Sequence, residues 1–307
     1  MSNLPYRARR EPRSVFTTLR GLRAHVLVWG DPRSTSAERP LLLMLHGWMD
    51  VAASFQFVVD AFPDDRCIVA LDWRGFGLSE HAASDSYWFP DYLADLDALL
   101  GSPVLALAQG AAIDLLGHSM GGNVAMMYAG VRPDRVRRLI NLEGFGMPDH
   151  PPLMAPTRYA QWLDELQHPA SLRDYDDLQA VADRLRQNNP LITADKAAWL
   201  APHWSMQGEN GRWRLRADPA HKRVNPVLYR AEEAVACWRR ITAPVLWVEG
   251  DRTEVARAWG QRYPRAEFEA RLACVAHVER AILSPAGHML HHDQPQALAG
   301  RIGAFLR

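Results

Sequence analysis

Residues 113–122 read IDLLGHSMGG, and the rest of the chain is best interpreted outward from them. A short apolar run leads into the pattern Gly-x-Ser-x-Gly around Ser119, and residues 123–131 then have helical spacing. Small residues two positions before and after a serine are needed where a strand turns sharply into a helix, because the backbone is crowded there. The stretch therefore predicts a strand, a tight turn that exposes Ser119, and a helix whose first amide, that of Met120, points at a developing oxyanion.

The pattern on both sides of this stretch is an alternation of short apolar runs with amphipathic segments. Continuous apolar runs are typical of strands that are buried on both faces, and their alternation with helices predicts a mostly parallel sheet covered on both sides. The first two runs are joined by a turn and predict an antiparallel pair at the edge of the sheet. The predicted strands are residues 14–19, 22–29, 41–45, 67–71, 114–116, 139–142, 244–248 and 280–283.

The composition changes after Gly146. Residues 147–240 are rich in Pro, Trp, His and charge, with helical pieces and few strand-like runs, and they hold five of the eleven Trp residues. We expect a core of residues 1–146 and 241–307, interrupted by a helical lid of residues 147–240 that roofs a site at the sheet edge. Acidic and basic residues are interspersed in this lid, so no anion-binding funnel for a coenzyme A group is expected. Trp48 is a better candidate for a pocket wall than the five Trp residues of this lid.

Charge and cysteine content exclude several classes of protein. The 35 basic residues balance 35 acidic ones, so no overall positive field favours a nucleic acid or an anionic membrane. The three cysteines, at positions 67, 237 and 274, form no CxxC pair and are expected to be plain thiols. No apolar segment follows the basic start or is long enough to span a membrane, which predicts a cytoplasmic protein without membrane insertion. The oligomeric state stays open.

A serine nucleophile needs a base, and the chain has twelve histidines. His288 lies between the last predicted strand and the final predicted helix, which places it at the same sheet edge as Ser119. His118 precedes the serine and is expected to point away from it. The cluster of His291, His292 and Asp293 does not predict a metal site, because adjacent residues rarely face one ion. Neither a GxGxxG turn after a strand nor a phosphate-binding GK[ST] loop occurs, so no cofactor is expected.

Three further stretches carry a family resemblance. Residues 46–50 (HGWMD), 72–79 (DWRGFGLS) and 142–144 (LEG), together with GHSMGG, resemble the α/β-hydrolase superfamily over nearly the whole chain, and are similar to its serine hydrolase-like (kraken-type) branch. The resemblance implies an eight-stranded sheet and an oxyanion hole formed by the backbone N–H groups of Trp48 and Met120. The residues agree with that role for Trp48, since Gly47 allows a tight turn directly after a buried strand.

The acid that would orient His288 departs from the common pattern of the superfamily. That acid usually lies three residues after the glycine that ends the seventh strand, and here Gly250 is followed at that spacing by Thr253. Asp251 and Glu254 flank this position. Glu143, which follows the sixth strand, occupies the place that haloalkane dehalogenases use. Glu143 is the leading candidate, with Asp251 and then Glu254 as alternatives.

A serine nucleophile points to acyl chemistry, whereas dehalogenases and epoxide hydrolases of this fold use an aspartate. We expect hydrolysis of a carboxylic ester or thioester of a small to medium, mainly apolar substrate through an acyl-enzyme on Ser119. A carbon–carbon bond hydrolase or a cofactor-free perhydrolase is the alternative enzyme. A non-catalytic protein that binds a small molecule in the same pocket is the alternative outside catalysis.

Overall fold

The computed structural model describes residues 5–254 and 260–307, and its strands form two sheets within these ranges. The larger sheet has eight strands in the order β1-β2-β4-β3-β5-β6-β10-β11, and the smaller has three in the order β7-β9-β8. The strands are β1 (Arg13–Leu19), β2 (Leu22–Trp29), β3 (Leu42–Leu45), β4 (Ile68–Leu71), β5 (Ile113–His118), β6 (Val136–Leu142), β7 (Asp174–Tyr175), β8 (Ser205–Gln207), β9 (Trp213–Leu215), β10 (Val245–Gly250) and β11 (Val278–Leu283).

The α-helices flank these strands. They are α1 (Gln56–Ala61), α2 (Phe89–Leu100), α3 (Met120–Val131), α4 (Ala155–Leu166), α5 (Leu178–Asn188), α6 (Ala194–Trp204), α7 (Ala231–Trp238), α8 (Arg265–Leu272), α9 (Leu290–Asp293) and α10 (Pro295–Phe305). None of the helices in the described ranges is long and apolar enough to cross a membrane.

In the described part of the larger sheet, the six strands β4, β3, β5, β6, β10 and β11 are parallel to one another. Strand β2 pairs antiparallel with β1 on one side and with β4 on the other. The predicted mostly parallel eight-stranded sheet and its antiparallel edge pair are therefore confirmed. Strand β3 shows why the pattern is continuous and apolar. Leu43 and Leu45 belong to the core on one face of the sheet, while Leu42 and Met44 belong to the core on the other.

The largest differences from the predicted strands concern β6 and three short strands. Strand β6 begins at Val136, three residues before the predicted start, because the polar side chain of Arg137 is neutralised by the buried Asp114 of β5, with its Nη2 2.6 Å from Oδ2. Strands β7, β8 and β9 were not predicted at all. They have only two or three residues each, which is too short to show an alternating pattern.

The segment between β6 and β10 leaves the sheet and returns through α7. This last helix packs against α3, and its Trp238 is buried in the core on that face of the sheet. The sheet layer thus resumes before residue 241, the boundary expected from composition. We use the term insertion for residues 147–230, which contain α4 to α6 and the three-stranded sheet. Helices α5 and α6 pack on each other and share a core with α1.

Candidate active site

The carboxyl ends of four neighbouring parallel strands meet at one edge of the sheet. His118 of β5 is in register with Leu142 of β6, and Leu142 with Val248 of β10. Gly250 at the end of β10 is in register with Leu283 of β11. The residues that follow β5, β6 and β11 include Ser119, Glu143 and His288, so parallel pairing alone brings these three loops together.

Ser119 stands on a strained turn between β5 and α3. Its φ of 52° lies in the left-handed region, which costs a non-glycine residue of order 1–3 kcal/mol. The backbone around it is fixed, since its N–H donates to the Leu142 carbonyl at 2.8 Å and its carbonyl accepts from the Asn123 N–H at 3.0 Å. A Cβ on Gly117 or Gly121 would collide with neighbouring backbone. The two glycines of the motif are therefore required by sterics.

A hydrogen-bond chain links Ser119 to a buried carboxylate. The His288 Nε2 lies 3.0 Å from the Ser119 Oγ, and the His288 Nδ1 lies 2.7 Å from Oε2 of Glu143. The Glu143 carboxylate is almost fully buried, so it acts in a medium of low dielectric where its interaction with the imidazole is strong. With Nδ1–H donating to Glu143, the neutral ring presents the lone pair of Nε2 to the serine hydroxyl.

Glu143 has further donors that orient its carboxylate. The Gly250 N–H donates to Oε1 at 2.7 Å and the Thr253 hydroxyl donates to Oε2 at 2.7 Å. Thr253 thus occupies the position where the common pattern has an acid, and supports the acid that lies on the neighbouring strand. Glu143 itself has a φ of 56°, and a strained residue at a convergence of loops is a frequent mark of a functional site.

The two alternative acids are directed elsewhere. Asp251 accepts hydrogen bonds from the Ala286 N–H at 2.9 Å and from the Ser284 hydroxyl at 2.7 Å, so it stabilises the loop after β11. These two bonds hold the pKa of its exposed carboxyl below the ordinary value. Glu254 is exposed. Of the three candidates, Glu143 is the one hydrogen-bonded to His288.

The loop after β3 lies against the serine. A Cβ on Gly47 would lie 3.0 Å from the His118 Nδ1 and 3.2 Å from the Ser119 Cβ, so a larger residue would crowd this close approach. Trp48 follows it, and Met120 begins α3, where an N–H has no acceptor within the helix. Trp48, Ser119 and Met120 line one cavity together. The oxyanion hole expected from the N–H groups of Trp48 and Met120 stays a prediction.

His118 is held behind the serine, as expected. Its side chain is buried and its Nε2 lies 2.9 Å from the carbonyl oxygen of His288, so it supports the loop that carries the base. Burial, together with the nearby His291 and His288, holds the pKa of His118 well below its ordinary value. One ligand-type atom each of Asp50, His118 and His291 lies within 4.8 Å of the others. The sequence grouped His291 with its chain neighbours, whereas the fold groups it with two distant residues.

Two cavities meet at Ser119, and Trp48 lines both. The first, of about 460 Å³, has an apolar wall from the insertion and the loop after β3. The second, of about 430 Å³, is largely aromatic. The apolar residues of the first are Trp48, Met49, Leu172, Val181, Leu185, Ile192, Trp204, Leu215 and Met289, and the aromatic residues of the second are Trp48, Tyr87, Trp88, Phe89, Tyr92 and Phe145.

The insertion also supplies positive charge, which the sequence did not reveal. Arg173, Arg184 and Lys222 line the first cavity, together with one acidic residue, Asp50, among the described residues. Their wide spacing in the chain hides this cluster, and the expectation of interspersed charge missed it. Trp204 lines the same cavity and also packs on the core, as Trp199 and Trp213 do.

His221 is another residue of the insertion that sequence reasoning missed. Its ring is stacked between Phe76 and Tyr87, with centroid distances of 3.8 and 3.9 Å. Its backbone carbonyl accepts from the Trp48 indole N–H at 3.2 Å. The insertion therefore fixes the side chain that separates the two cavities.

Comparison with known proteins agrees with this architecture. Residues 40–295 match the family model described as the alpha/beta hydrolase fold. A serine hydrolase-like protein of Danio rerio is 31% identical, over 91% of this chain and 84% of its own length. The 3-hydroxybutyrate-oligomer hydrolase of Cupriavidus necator is 29% identical, over 82% of this chain and 83% of its own.

Solved structures give the same result. A hypothetical protein of Pseudomonas aeruginosa PAO1 superposes with a TM-score of 0.80 at 27% identity, covering 95% of this chain and 98% of its own. The family match spans most of the sequence, including the loops that carry Ser119, Glu143 and His288. The chain therefore belongs to the α/β-hydrolase fold family, and serine hydrolase-like proteins are among its relatives.

Proposed function

We propose that the chain is a serine hydrolase that cleaves a carboxylic ester or thioester through an acyl-enzyme on Ser119. The observation that carries this proposal is the hydrogen-bond chain from Glu143 through His288 to Ser119. A serine hydroxyl is a poor nucleophile alone, and the hydrogen-bond chain supplies the base that activates it.

In the first half of the reaction, the Ser119 Oγ attacks the substrate carbonyl carbon while the His288 Nε2 takes its proton. The negative charge moves to the carbonyl oxygen, where the N–H groups of Trp48 and Met120 stabilise it. Glu143 remains ionised and stabilises the imidazolium. The tetrahedral intermediate then collapses, the bond to the leaving group breaks, and His288 gives the proton to the departing alcohol or thiol.

In the second half, water takes the place of the leaving group. His288 accepts a proton from the water as its oxygen attacks the acyl carbonyl, and then returns a proton to the Ser119 Oγ as the carboxylic acid is released. Neither half of the reaction needs a cofactor. The same amides stabilise both tetrahedral intermediates, so one preorganised site serves two steps.

The insertion is proposed to act as a lid that sets substrate shape. Its apolar side chains favour a small to medium acyl or alcohol group next to the reacting bond, and its three cations favour an anionic group further away. The relative named 3-hydroxybutyrate-oligomer hydrolase supports an ester substrate. A thioesterase domain from the curacin pathway, at 24% identity and a TM-score of 0.79, shows only that the fold is shared.

The test is covalent labelling followed by turnover. A fluorophosphonate probe is expected to label the native protein and to leave the Ser119→Ala variant unlabelled, with Ser34→Ala, at an exposed serine, as the matched control. The labelled residue is identified by peptide mass spectrometry. Absence of labelling under conditions that label a known esterase would contradict the proposal and favour a non-catalytic binding protein.

A panel of p-nitrophenyl and thiol esters of increasing chain length then defines the substrate. Turnover that requires Ser119 is expected on at least one member. Labelling without turnover of any ester or thioester would instead point to a carbon–carbon bond hydrolase or a perhydrolase with the same catalytic groups.

A further inference from the structure

A buried polar cluster lies directly behind the catalytic loops. Asp50, His118 and His291 are each no more than 3% exposed. Within the described part of the chain, no hydrogen-bond partner lies against the Asp50 Oδ2, the His118 Nδ1 or either ring nitrogen of His291. Each such atom costs about 1–3 kcal/mol when it is left unsatisfied, so a bound species would stabilise the cluster.

The tautomer of His118 leaves a lone pair facing this cluster. Its Nε2 lies 2.9 Å from the carbonyl oxygen of His288, and because a carbonyl only accepts, Nε2 carries the hydrogen. Neutral His118 then presents an unprotonated Nδ1. A ligating histidine that donates its other N–H to a backbone carbonyl is the usual arrangement around a protein-bound metal.

Asp50 is likewise held by hydrogen bonds to one oxygen while its other oxygen has no partner in the described part of the chain. Its Oδ1 accepts from the Val51 N–H at 2.8 Å and from the Ser54 hydroxyl, which leaves Oδ2 for another partner. The Oδ2 lies 3.8 Å from the Nε2 of His291. Two ligands of a tetrahedral Zn²⁺ are about 3.4 Å apart at bonds of about 2.1 Å, so small side-chain movements would close the site on an ion.

We propose that Asp50, His118 and His291 bind one divalent transition-metal ion of the Zn²⁺ type, and that the bound ion slows hydrolysis at Ser119. Two imidazole nitrogens and one carboxylate oxygen suit Zn²⁺, Co²⁺ and Ni²⁺, whereas Ca²⁺ and Mg²⁺ prefer oxygen ligands. Asp50 and His118 also line the first cavity, which gives the ion a path from solvent.

The inhibitory effect rests on the proposed function. The three ligands come from the loop after β3, the end of β5 and the start of α9, which is also the order of the loops that hold Trp48, Ser119 and His288. The ring centroids of His118 and His288 are 4.8 Å apart. A dication balanced by a single carboxylate leaves positive charge near the imidazolium that His288 must form, and we expect turnover to fall about tenfold or more.

Binding is tested without relying on activity. Ser119→Ala protein, freed of metal by a chelator, is titrated with Co²⁺, and one equivalent is expected to give the visible absorption of a low-coordinate ion that Zn²⁺ then abolishes. Asp50→Asn and His291→Asn are expected to weaken binding about 100-fold or more. His203→Asn, which alters a histidine outside the cluster, is the matched control.

Two results would overturn the site. One is no uptake of Co²⁺ or Zn²⁺ by the wild-type sequence at metal concentrations up to about 100 micromolar. The other is one-equivalent uptake that both Asn variants retain unchanged, since the ion would then lie elsewhere. The uptake by protein with all three ligands intact decides the question even if an Asn variant fails to fold.

The effect on catalysis is tested separately. In the native protein, Zn²⁺ is expected to lower kcat for a p-nitrophenyl ester and a chelator to restore it, while His291→Asn is expected to respond far less. Binding without a change in kcat would refute the inhibitory half alone. Binding by a protein that hydrolyses no ester would refute the proposed function and leave the metal site standing.

Discussion

The loops of the sheet edge and the insertion face the same serine but are built differently. The loops carry the reacting groups on short connections after buried parallel strands, with strained backbone at Ser119 and Glu143. The insertion approaches from above with side chains that are partly exposed, and none of the residues of α4 is buried. This difference supports our proposal that the loops determine the chemistry, while the insertion determines which substrates reach it.

The largest expected effect tests the loops. Glu143→Gln is expected to lower kcat about 10³- to 10⁴-fold, because the amide cannot stabilise the imidazolium or hold the required tautomer of His288. Asp251→Asn is the matched comparison and is expected to change kcat less than about threefold. Steady-state kinetics of both variants on one ester measure the contrast. A larger loss for Asp251→Asn would assign the acid to that residue instead.

The next effect concerns the insertion and tests whether burial keeps His221 unprotonated in the folded protein. Burial lowers the pKa of His221 to about 3, against an ordinary value of 6.5. Between these two pH values the unfolded chain binds a proton at His221 and the folded protein does not. The free energy of unfolding therefore falls as pH falls from 6.5 towards 3.

His221→Phe keeps a ring between Phe76 and Tyr87 but cannot be protonated. The loss of unfolding free energy between pH 7 and pH 5 is expected to be roughly 2 kcal/mol smaller in this variant than in the native protein. Urea titrations at both pH values measure it, with His81→Gln, a half-exposed histidine, as control. Equal losses in the native and variant proteins would mean that His221 is protonated in the folded state.

Thr253 gives a smaller effect within the loops. Thr253→Val removes the hydroxyl that donates to Glu143, and a hydrogen bond to a charged group contributes about 1.5–3 kcal/mol. We expect kcat to fall about tenfold with little change in KM. Thr253→Ser keeps the donor and is expected to retain most of the activity, and a loss as large as that of the valine variant would show that packing, not the hydrogen bond, matters.

Trp48 joins the two regions. Trp48→Phe retains the backbone amide and removes the indole N–H that donates to the His221 carbonyl. A neutral hydrogen bond contributes about 0.5–1.5 kcal/mol, so kcat/KM is expected to fall about three- to tenfold, mainly through KM. A fall confined to kcat would contradict the proposal that the insertion affects substrate binding rather than the chemical step.

The smallest effect concerns the cations of the insertion. Arg184→Ala is expected to raise KM for mono-p-nitrophenyl adipate about two- to fivefold, as for an exposed ion pair, and to leave KM for p-nitrophenyl hexanoate unchanged. Arg186→Ala, on the same helix α5 but outside the cavity lining, is the control. Equal effects on both esters would remove the preference for an anionic group.

Much of the sheet edge could be predicted from local sequence. The apolar runs are continuous because both faces of each central strand are buried, and the glycines around Ser119 are required by a collision that local geometry dictates. Ser119, His288 and the leading acid Glu143 were all named from their positions after strands. The acid remained one of three, because sequence places Glu143, Asp251 and Glu254 at one edge but does not say which carboxylate meets the imidazole.

The insertion could be predicted only in outline. Its helices have a visible period, but its two- and three-residue strands do not, and composition placed its end after α7 although that helix packs on α3.

Local patterns were enough to predict the sheet, the turn at Ser119 and the family, because each depends on a few neighbouring residues. The long-range contacts became visible in the fold: Glu143 meets His288 with Thr253 in support, Arg173, Arg184 and Lys222 share a cavity, and Asp50, His118 and His291 converge. These contacts join residues far apart in the chain, and their distances follow from strand order and packing rather than from any local spacing.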